Sequence, residues 1–356
     1  MKVAVDCRML GSGGIGSYLA ALLPFFVNEY ECTLFGNREL ISKYAGQGNY
    51  SVIDCCIKTF SIKELLFFPY ELRKIINLCD LYYTPYCNIP YGIKIPIFST
   101  IHDVVFLDVP GLSGIRGTII RKWFYQHAVN KSKIVFTVSN FSKERIEHHL
   151  KTKASKIITT YNALPQWFYQ DVNISVQKEN YILFVGNIKK HKGLSTLLKA
   201  FKLVLSHGIH TKLMIVGNKE NFRTGDDEIW EQISNFPSDA VTFTGRISDS
   251  ELNEVYAKAK VLVQPSLYEG FGMPPLEALN LDTDVVLSDI PVFKEIYNGF
   301  PVTFFKCQDA DDLAQKLIQN WNNFGQKTIH VPDTYSFEKT FNIIKNTIIF
   351  DEREQP

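Results

Sequence analysis

Short apolar runs alternate with longer amphipathic stretches along most of the chain. The run at 2–5 predicts a strand; a glycine-rich turn at 11–16 and a helical pattern from about 17 to 30 follow. Further apolar runs predict strands at 32–35, 97–101 and 134–138, then a helix at 142–150 with Ser142 as its N-cap. A less regular stretch, 165–180, reads as a linker. Beyond it the alternation restarts: strand 181–185, a glycine turn, helix 193–206, strand 212–216, strand 241–244, helix 249–258, strand 261–264, helix 275–280 and strand 285–288. A terminal helical pattern covers about 337–350. Strands alternating with helices imply parallel sheets of βαβ units. Two such series imply an α/β protein of two doubly wound, Rossmann-like domains facing across a cleft. The divisions are 1–168, 178–335, and a C-terminal helix in 336–356 packing back toward the first domain.

The densest chemistry lies at Glu269-Gly-Phe-Gly-Met-Pro-Pro-Leu-Glu277. Pro274 and Pro275 suit a helix start and not its interior. With Val261-Leu262-Val263 leading in, the segment reads strand, loop, helix. Loops at the carboxyl ends of parallel strands are where such sheets bind ligands. One carboxylate on the loop and one on the helix can hold a polyhydroxyl ligand.

Composition narrows the classes. Apolar residues make up 46% and charged residues 21% of 356, as in a globular chain with sizeable cores. A net charge of +1 gives no signal for nucleic acid. The charge is unevenly divided: residues 1–170 carry 19 Lys/Arg and 12 Asp/Glu, the remainder 19 and 25. Seven cysteines without a C-x-x-C pair argue against a disulfide framework or zinc site and fit a reducing cytosol. No run of about 18 apolar residues marks a membrane span, and no signal-peptide pattern opens the chain.

Four other segments have both a plain and a functional reading. Gly11-Ser-Gly-Gly14-Ile-Gly16 is a tight βα turn, or a loop whose backbone approaches an anionic ligand at a helix start. His102-Asp103 follows a strand; its imidazole is structural, or bonds a hydroxyl or acts as a base near neutral pH. Gly186-Asn187-Ile-Lys-Lys-His-Lys192-Gly193 is a solvated basic loop, or neutralises a diphosphate with fixed cations and backbone N–H groups. Arg246, after Phe243-Thr-Gly245, is an exposed loop arginine, or pairs with phosphate. Cationic loops and an acidic pair together suit a nucleotide-sugar.

Glu269 through Glu277 also matches the E-x7-E motif of the retaining glycosyltransferases of family 4. It lies within Pro265-Ser266-x-x-Glu269-Gly270-Phe271-Gly272-x-Pro274-x-Leu276-Glu277-Ala278. The chain resembles that family over roughly residues 3–300. Val185-Gly186 through Lys192 is similar to its donor-phosphate loop; Gly13-Gly14-Ile-Gly16, His102-Asp103 and Ser139-Asn-Phe-Ser142 sit where members carry related segments. The resemblance implies the GT-B fold and a retaining, metal-independent hexosyl transfer without a cofactor. Glu277 would take the ribose hydroxyls and Glu269 the donor-sugar hydroxyls. Backbone N–H groups near Gly270, Phe271, Gly272 and Met273 would hold other sugar oxygens. Lys192, helped by Arg246, Lys190 or His191, would stabilise the leaving diphosphate. Gly14, Gly16, Gly186 and Asn187 would complete donor binding, with His102 near the transferred sugar. Three departures stand out. Asn187 replaces a frequent arginine, Asp282-Thr-Asp284 replaces a Gly-x-Pro, and Asn162-Ala163 replaces an Asn-Gly. The Gly-Asn-Ile form of the phosphate loop is similar to members that use mannose or related donors.

The first domain is then expected to take a saccharide or lipid-linked acceptor in cell-envelope polysaccharide or glycan synthesis. Its segment 114–133 holds Arg116, Arg121, Lys122, Lys131 and Lys133 with no Asp or Glu, interleaved with Ile119, Ile120, Trp123, Phe124 and Tyr125. That helix either packs as core and solvated face or lies on an anionic membrane surface. The expected setting is cytoplasmic, peripheral on the inner membrane face. Leu65-Leu-Phe-Phe-Pro-Tyr70 is read as lining an apolar acceptor site. The competing readings are a GT-B nucleotide-sugar epimerase or phosphorylase, and a catalytically silent nucleotide-sugar-binding subunit.

Overall fold

The computed structural model describes residues 1–165, 168, 176–217, 227–245, 247–326, 329, 332 and 334–353. The chain divides into two compact units, Met1–Gln166 with Tyr335–Pro356, and Trp167–Thr334. The expected linker falls largely outside the described residues, as does Arg246.

The first unit is built on seven strands: β1 Lys2–Asp6, β2 Glu31–Gly36, β3 Tyr50–Asp54, β4 Leu81–Thr84, β5 Ile97–Thr100, β6 Ile134–Thr137 and β7 Ile157–Thr159. They lie in the order β3-β2-β1-β4-β5-β6-β7, all parallel. The second unit has β8 Tyr181–Val185, β9 Lys212–Val216, β10 Val241–Gly245, β11 Val261–Gln264, β12 Asp284–Ser288 and β13 Thr303–Phe305. Their order is β10-β9-β8-β11-β12-β13, again parallel throughout. Every residue of β4, β5, β8 and β11 is buried. Helices on both faces of a parallel sheet leave no solvated side, so such strands read as unbroken apolar runs.

In each sheet the winding reverses beside the first strand, between β1 and β4 and between β8 and β11. This is the switch point where doubly wound sheets leave a crevice beyond the carboxyl ends of their strands. The C-terminal helix, Phe337–Arg353, belongs to the first unit. It stacks Phe341 on Phe25 at 5.5 Å and sets it edge-on to Phe26 at 5.1 Å between centroids, and Lys345 meets Glu29 at 2.7 Å.

Several boundaries differ from the sequence reading by one to four residues, and two have a plain physical reason. The first helix begins at Gly13, four residues earlier than the pattern suggested, because its opening turn is glycine-rich and carries no apolar period. Helix Asn140–His149 is capped by Ser139, whose Oγ accepts from the Ser142 N–H at 3.0 Å. Ser142 is therefore the third helical residue and not the cap; its buried side chain suits that inner position.

Candidate active site

The second unit's switch point gathers the strongest candidates. After β8 the chain passes Gly186 and Asn187 and makes a short 3-10 turn, Lys190–Lys192. It then enters helix Leu194–Ser206 through Gly193 at φ +71°. After β11 it runs through Pro265 and Ser266 to Glu269 and the helix Met273–Asn280, with proline in its first turn as expected. Two contacts bind these loops. The Leu267 N–H donates to the His191 carbonyl at 2.8 Å. A Cβ on Gly193 would stand 1.9 Å from the Pro265 carbonyl oxygen, so only glycine permits this approach.

The approach sets the central ion pair. Lys192 Nζ donates to both carboxylate oxygens of Glu269, at 2.7 and 2.8 Å. Ser266 Oγ donates to Glu269 Oε1 at 2.8 Å. Gln264 Nε2 backs Ser266 Oγ at 3.2 Å. Glu269 is thus a buried carboxylate held by a cation and a hydroxyl, which fixes its direction and offsets the cost of its burial. Gly272, at φ +86°, packs where a Cβ would lie 2.4 Å from the Phe293 ring, and Tyr297 Oη donates to its carbonyl. This close packing positions the start of helix Met273–Asn280, where unsatisfied N–H groups favour negative or polar oxygens. The Phe271 side chain is buried.

Glu277 lies one turn further along. Tyr256 Oη donates to its Oε2 at 2.5 Å. Burial pushes the Glu277 carboxyl up to about 7; the tyrosine hydroxyl lowers it in part and Asp249 raises it. Near neutral pH this group sits close to its own titration point. His191 corrects the sequence reading. Its ring is buried, and burial first, then Lys192, push its pKa down to about 4; Glu269 pulls it up in part, and Lys189 adds a lesser downward push. It is neutral at neutral pH and supplies no cation for a phosphate.

In the first unit, Gly16 is enclosed: a Cβ there would meet the Met9 carbonyl oxygen at 2.5 Å and Gly11 N at 3.0 Å. Its glycine requirement is satisfied by backbone packing within the turn. Gly14, by contrast, is exposed with open space around it. His102 faces Tyr18 edge-on at 4.8 Å and has Nε2 3.1 Å from the Pro85 carbonyl. A carbonyl only accepts, so Nε2 carries the proton and Nδ1 keeps its lone pair. Burial lowers this ring to about 4, against a smaller upward pull from the Pro85 bond. Of the readings offered for His102, the neutral hydrogen-bonding group fits this environment and the base near neutral pH does not.

Sequence reasoning left three site residues without a role. Ser266 stood within the quoted signature, whereas Gln264 and Tyr256 carry no motif; only their contacts reveal them. Among the described residues no group of three or more His, Cys, Asp or Glu is placed to hold a metal ion.

The chain is similar to the O-antigen chain mannosyltransferase RfbU of Salmonella typhimurium, 31% identical over 277 residues, spanning 76% of this chain and 74% of that one. The family model for glycosyl transferases group 1 matches residues 165–325. The chain belongs to the group 1 glycosyl transferases. A second relative, the O-antigen chain mannosyltransferase B of Escherichia coli, is 25% identical over a stretch that covers 67% of this chain and 65% of its own. The fold of the group 1 enzyme is likewise found in solved structures. A glycosyltransferase from Rickettsia africae covers 100% of this chain and 99% of its own at a TM-score of 0.69 and 16% identity. HepE of Anabaena, in complex with UDP and glucose, covers 91% and 90% at 0.68 and 16%. The protein is a glycosyltransferase with the two-domain α/β GT-B fold, and the ion pair at Lys192 and Glu269 lies within the stretch matched by the family model.

Proposed function

We propose that this glycosyltransferase moves a hexose, with retention and without a metal, from a nucleotide-diphosphate sugar to a saccharide or lipid-linked acceptor in cell-envelope polysaccharide synthesis. The observation that carries the reading is the bidentate grip of Lys192 on Glu269. It sets a fixed cation and a fixed carboxylate side by side at the switch point. The cation suits a diphosphate whose charge grows as its bond to the sugar breaks, and the carboxylate suits the sugar hydroxyls. The N-terminal turn of helix Met273–Asn280 offers further donors, and Glu277 takes the ribose hydroxyls. Asn187 and Gly186 belong to the phosphate loop, and Arg246, outside the described residues, is the candidate for a second cation. On the first unit, Gly14 gives open access to backbone, and His102 offers Nδ1 to a hydroxyl. Mannose is the sugar to test first, since RfbU and mannosyltransferase B are both named for it. The setting is the reducing cytoplasm; all seven cysteines are free thiols.

A thermal-shift screen across GDP- and UDP-sugars tests the donor assignment. A donor at about a hundred times its Kd is expected to add about 2.7 kcal/mol of apparent stability, with GDP-mannose giving the largest rise. A flat response to every nucleotide-sugar would refute the donor site. An acceptor-independent interconversion of the donor would instead support the epimerase reading.

Tyr256 is expected to tune donor affinity through Glu277. Its hydroxyl holds the carboxyl below where burial alone would put it. Tyr256→Phe is expected to raise the Glu277 pKa further and move the pH midpoint of donor binding upward by about one to two units, since a hydrogen bond to a charged group contributes about 1.5–3 kcal/mol. Calorimetric Kd values from pH 6 to 9 read this directly. An unmoved midpoint would mean that Glu277 does not need to be ionised.

A further inference from the structure

Two sequence clusters of the first unit form one exposed apolar face. In 60–70, Leu65 and Phe68 turn into the core, so only part of the run 65–70 remains available to line an apolar site. Their neighbours point outward: Phe67 is 76% and Tyr70 67% exposed, and Leu66 is about half exposed. Helix Ile115–Lys131 behaves alike. Phe124 and Ala128 are buried, while Ile115 at 82%, Ile119 at 63% and Trp123 form an outward stripe at i, i+4, i+8. A solvated outer face would be polar; this helix is apolar on both sides. Tyr91 joins the two clusters. Its N–H donates to the Leu65 carbonyl at 3.0 Å, its ring lies 4.5 Å from that of His127, and His127 stacks on Trp123 at 5.9 Å.

The face is also basic. Arg116 and Lys122 flank the helix stripe by their helical positions, and 114–133 carries no Asp or Glu. Within 58–74, Lys58, Lys63 and Lys74 are exposed, against one exposed acid, Glu71. A second copy seated on this face would set like charges against each other. A bilayer with anionic headgroups answers both features: it takes Trp, Tyr and aliphatic side chains into its interface and attracts the cations. No helix among the described residues is long and apolar enough to cross a membrane.

We infer that the first unit docks on anionic lipid through the joined faces of 62–70 and 115–123, with Phe67, Ile119 and Trp123 inserted and Arg116 and Lys122 at the headgroups. The inference rests on the surface of the first unit alone and is independent of the donor reading, which is measured in free solution.

Flotation with phosphatidylcholine vesicles, with and without an equal part of phosphatidylglycerol, tests it. Partition into the anionic vesicles is expected, weakening as salt rises. A triple variant, Phe67→Ser, Ile119→Ser and Trp123→Ser, and a charge variant, Arg116→Glu with Lys122→Glu, are each expected to lose at least about tenfold in partition. Both should keep the parent's circular dichroism and donor-induced thermal shift, because the replaced side chains are solvent-facing. Absence of flotation at low salt overturns the inference. So does equal flotation of parent and variants, or a concentration-dependent dimer in sedimentation that the same substitutions dissolve.

Discussion

Replacing Glu269 with glutamine is expected to lower turnover by about two to three orders of magnitude, the scale of losing one preorganised electrostatic contact in an active site. Glutamine has nearly the same shape, and its amide can still bond Ser266 Oγ. What disappears is the charge that holds Lys192 Nζ at 2.7 and 2.8 Å. The lysine then loses its fixed direction, and the carboxylate proposed to hold the sugar is gone. The loss is expected mainly in kcat, since the pair acts where charge develops on the leaving diphosphate. The fold should survive, with a loss of about 1–3 kcal/mol, because glutamine leaves no bare charge at the altered position and the Lys192 side chain, 20% exposed, keeps some access to water. Steady-state transfer assays with the best donor, alongside Lys294→Ala as an exposed ion-pair control, decide the matter. Full transfer by the Glu269→Gln protein would remove Glu269 from the mechanism.

The largest stability effect is expected at Gly193. Alanine there would adopt φ +71° and set its Cβ 1.9 Å from the Pro265 carbonyl oxygen. The left-handed backbone costs about 1–2 kcal/mol, and the clash is with backbone, which cannot swing aside. A total of ~3 kcal/mol or more is expected, or a fall in melting temperature of roughly 6–12 °C for a unit of this size. Gly208→Ala separates the two causes. Gly208 also has positive φ, +82°, but nothing within 4 Å of a built Cβ, so it should show the backbone cost alone. Equal losses at the two positions would mean that the loops part without strain. Because the strained contact sits beside the Leu267-to-His191 bond, Gly193→Ala should also weaken donor binding more than Gly208→Ala does.

Several elements were legible before any coordinates. Val261-Leu262-Val263 and the proline pair predict the strand, loop and helix around Glu269, since buried parallel strands are short apolar runs and proline tolerates only a helix's first turn. The clusters at 60–70 and 115–131 show the limit. Apolar spacing marks side chains that avoid polar company, but it does not say whether a core or another surface receives them. Leu65 and Phe68 went inward, Leu66 and Phe67 outward, within four consecutive residues. The basic run at 189–192 shows a limit of the opposite sense. Charge patterning treats a lysine- and histidine-rich turn as uniformly solvated, whereas the contact with Leu267 sinks His191 and leaves it neutral.

By itself the sequence determined the two series of alternating strands and helices, the loops at their carboxyl ends, and the acidic and basic residues those loops carry. These follow from local rules of periodicity, turn chemistry and capping that act over a few residues. Only the tertiary structure decided that Lys192 meets Glu269, 77 positions away. It did so through strand order: β8 and β11 are neighbours although β9 and β10 come between them in the chain. Which strands of a parallel sheet lie side by side is set by how crossover helices pack and by which loops can approach closely. At this switch point, Gly193 passing the Pro265 carbonyl makes that approach possible.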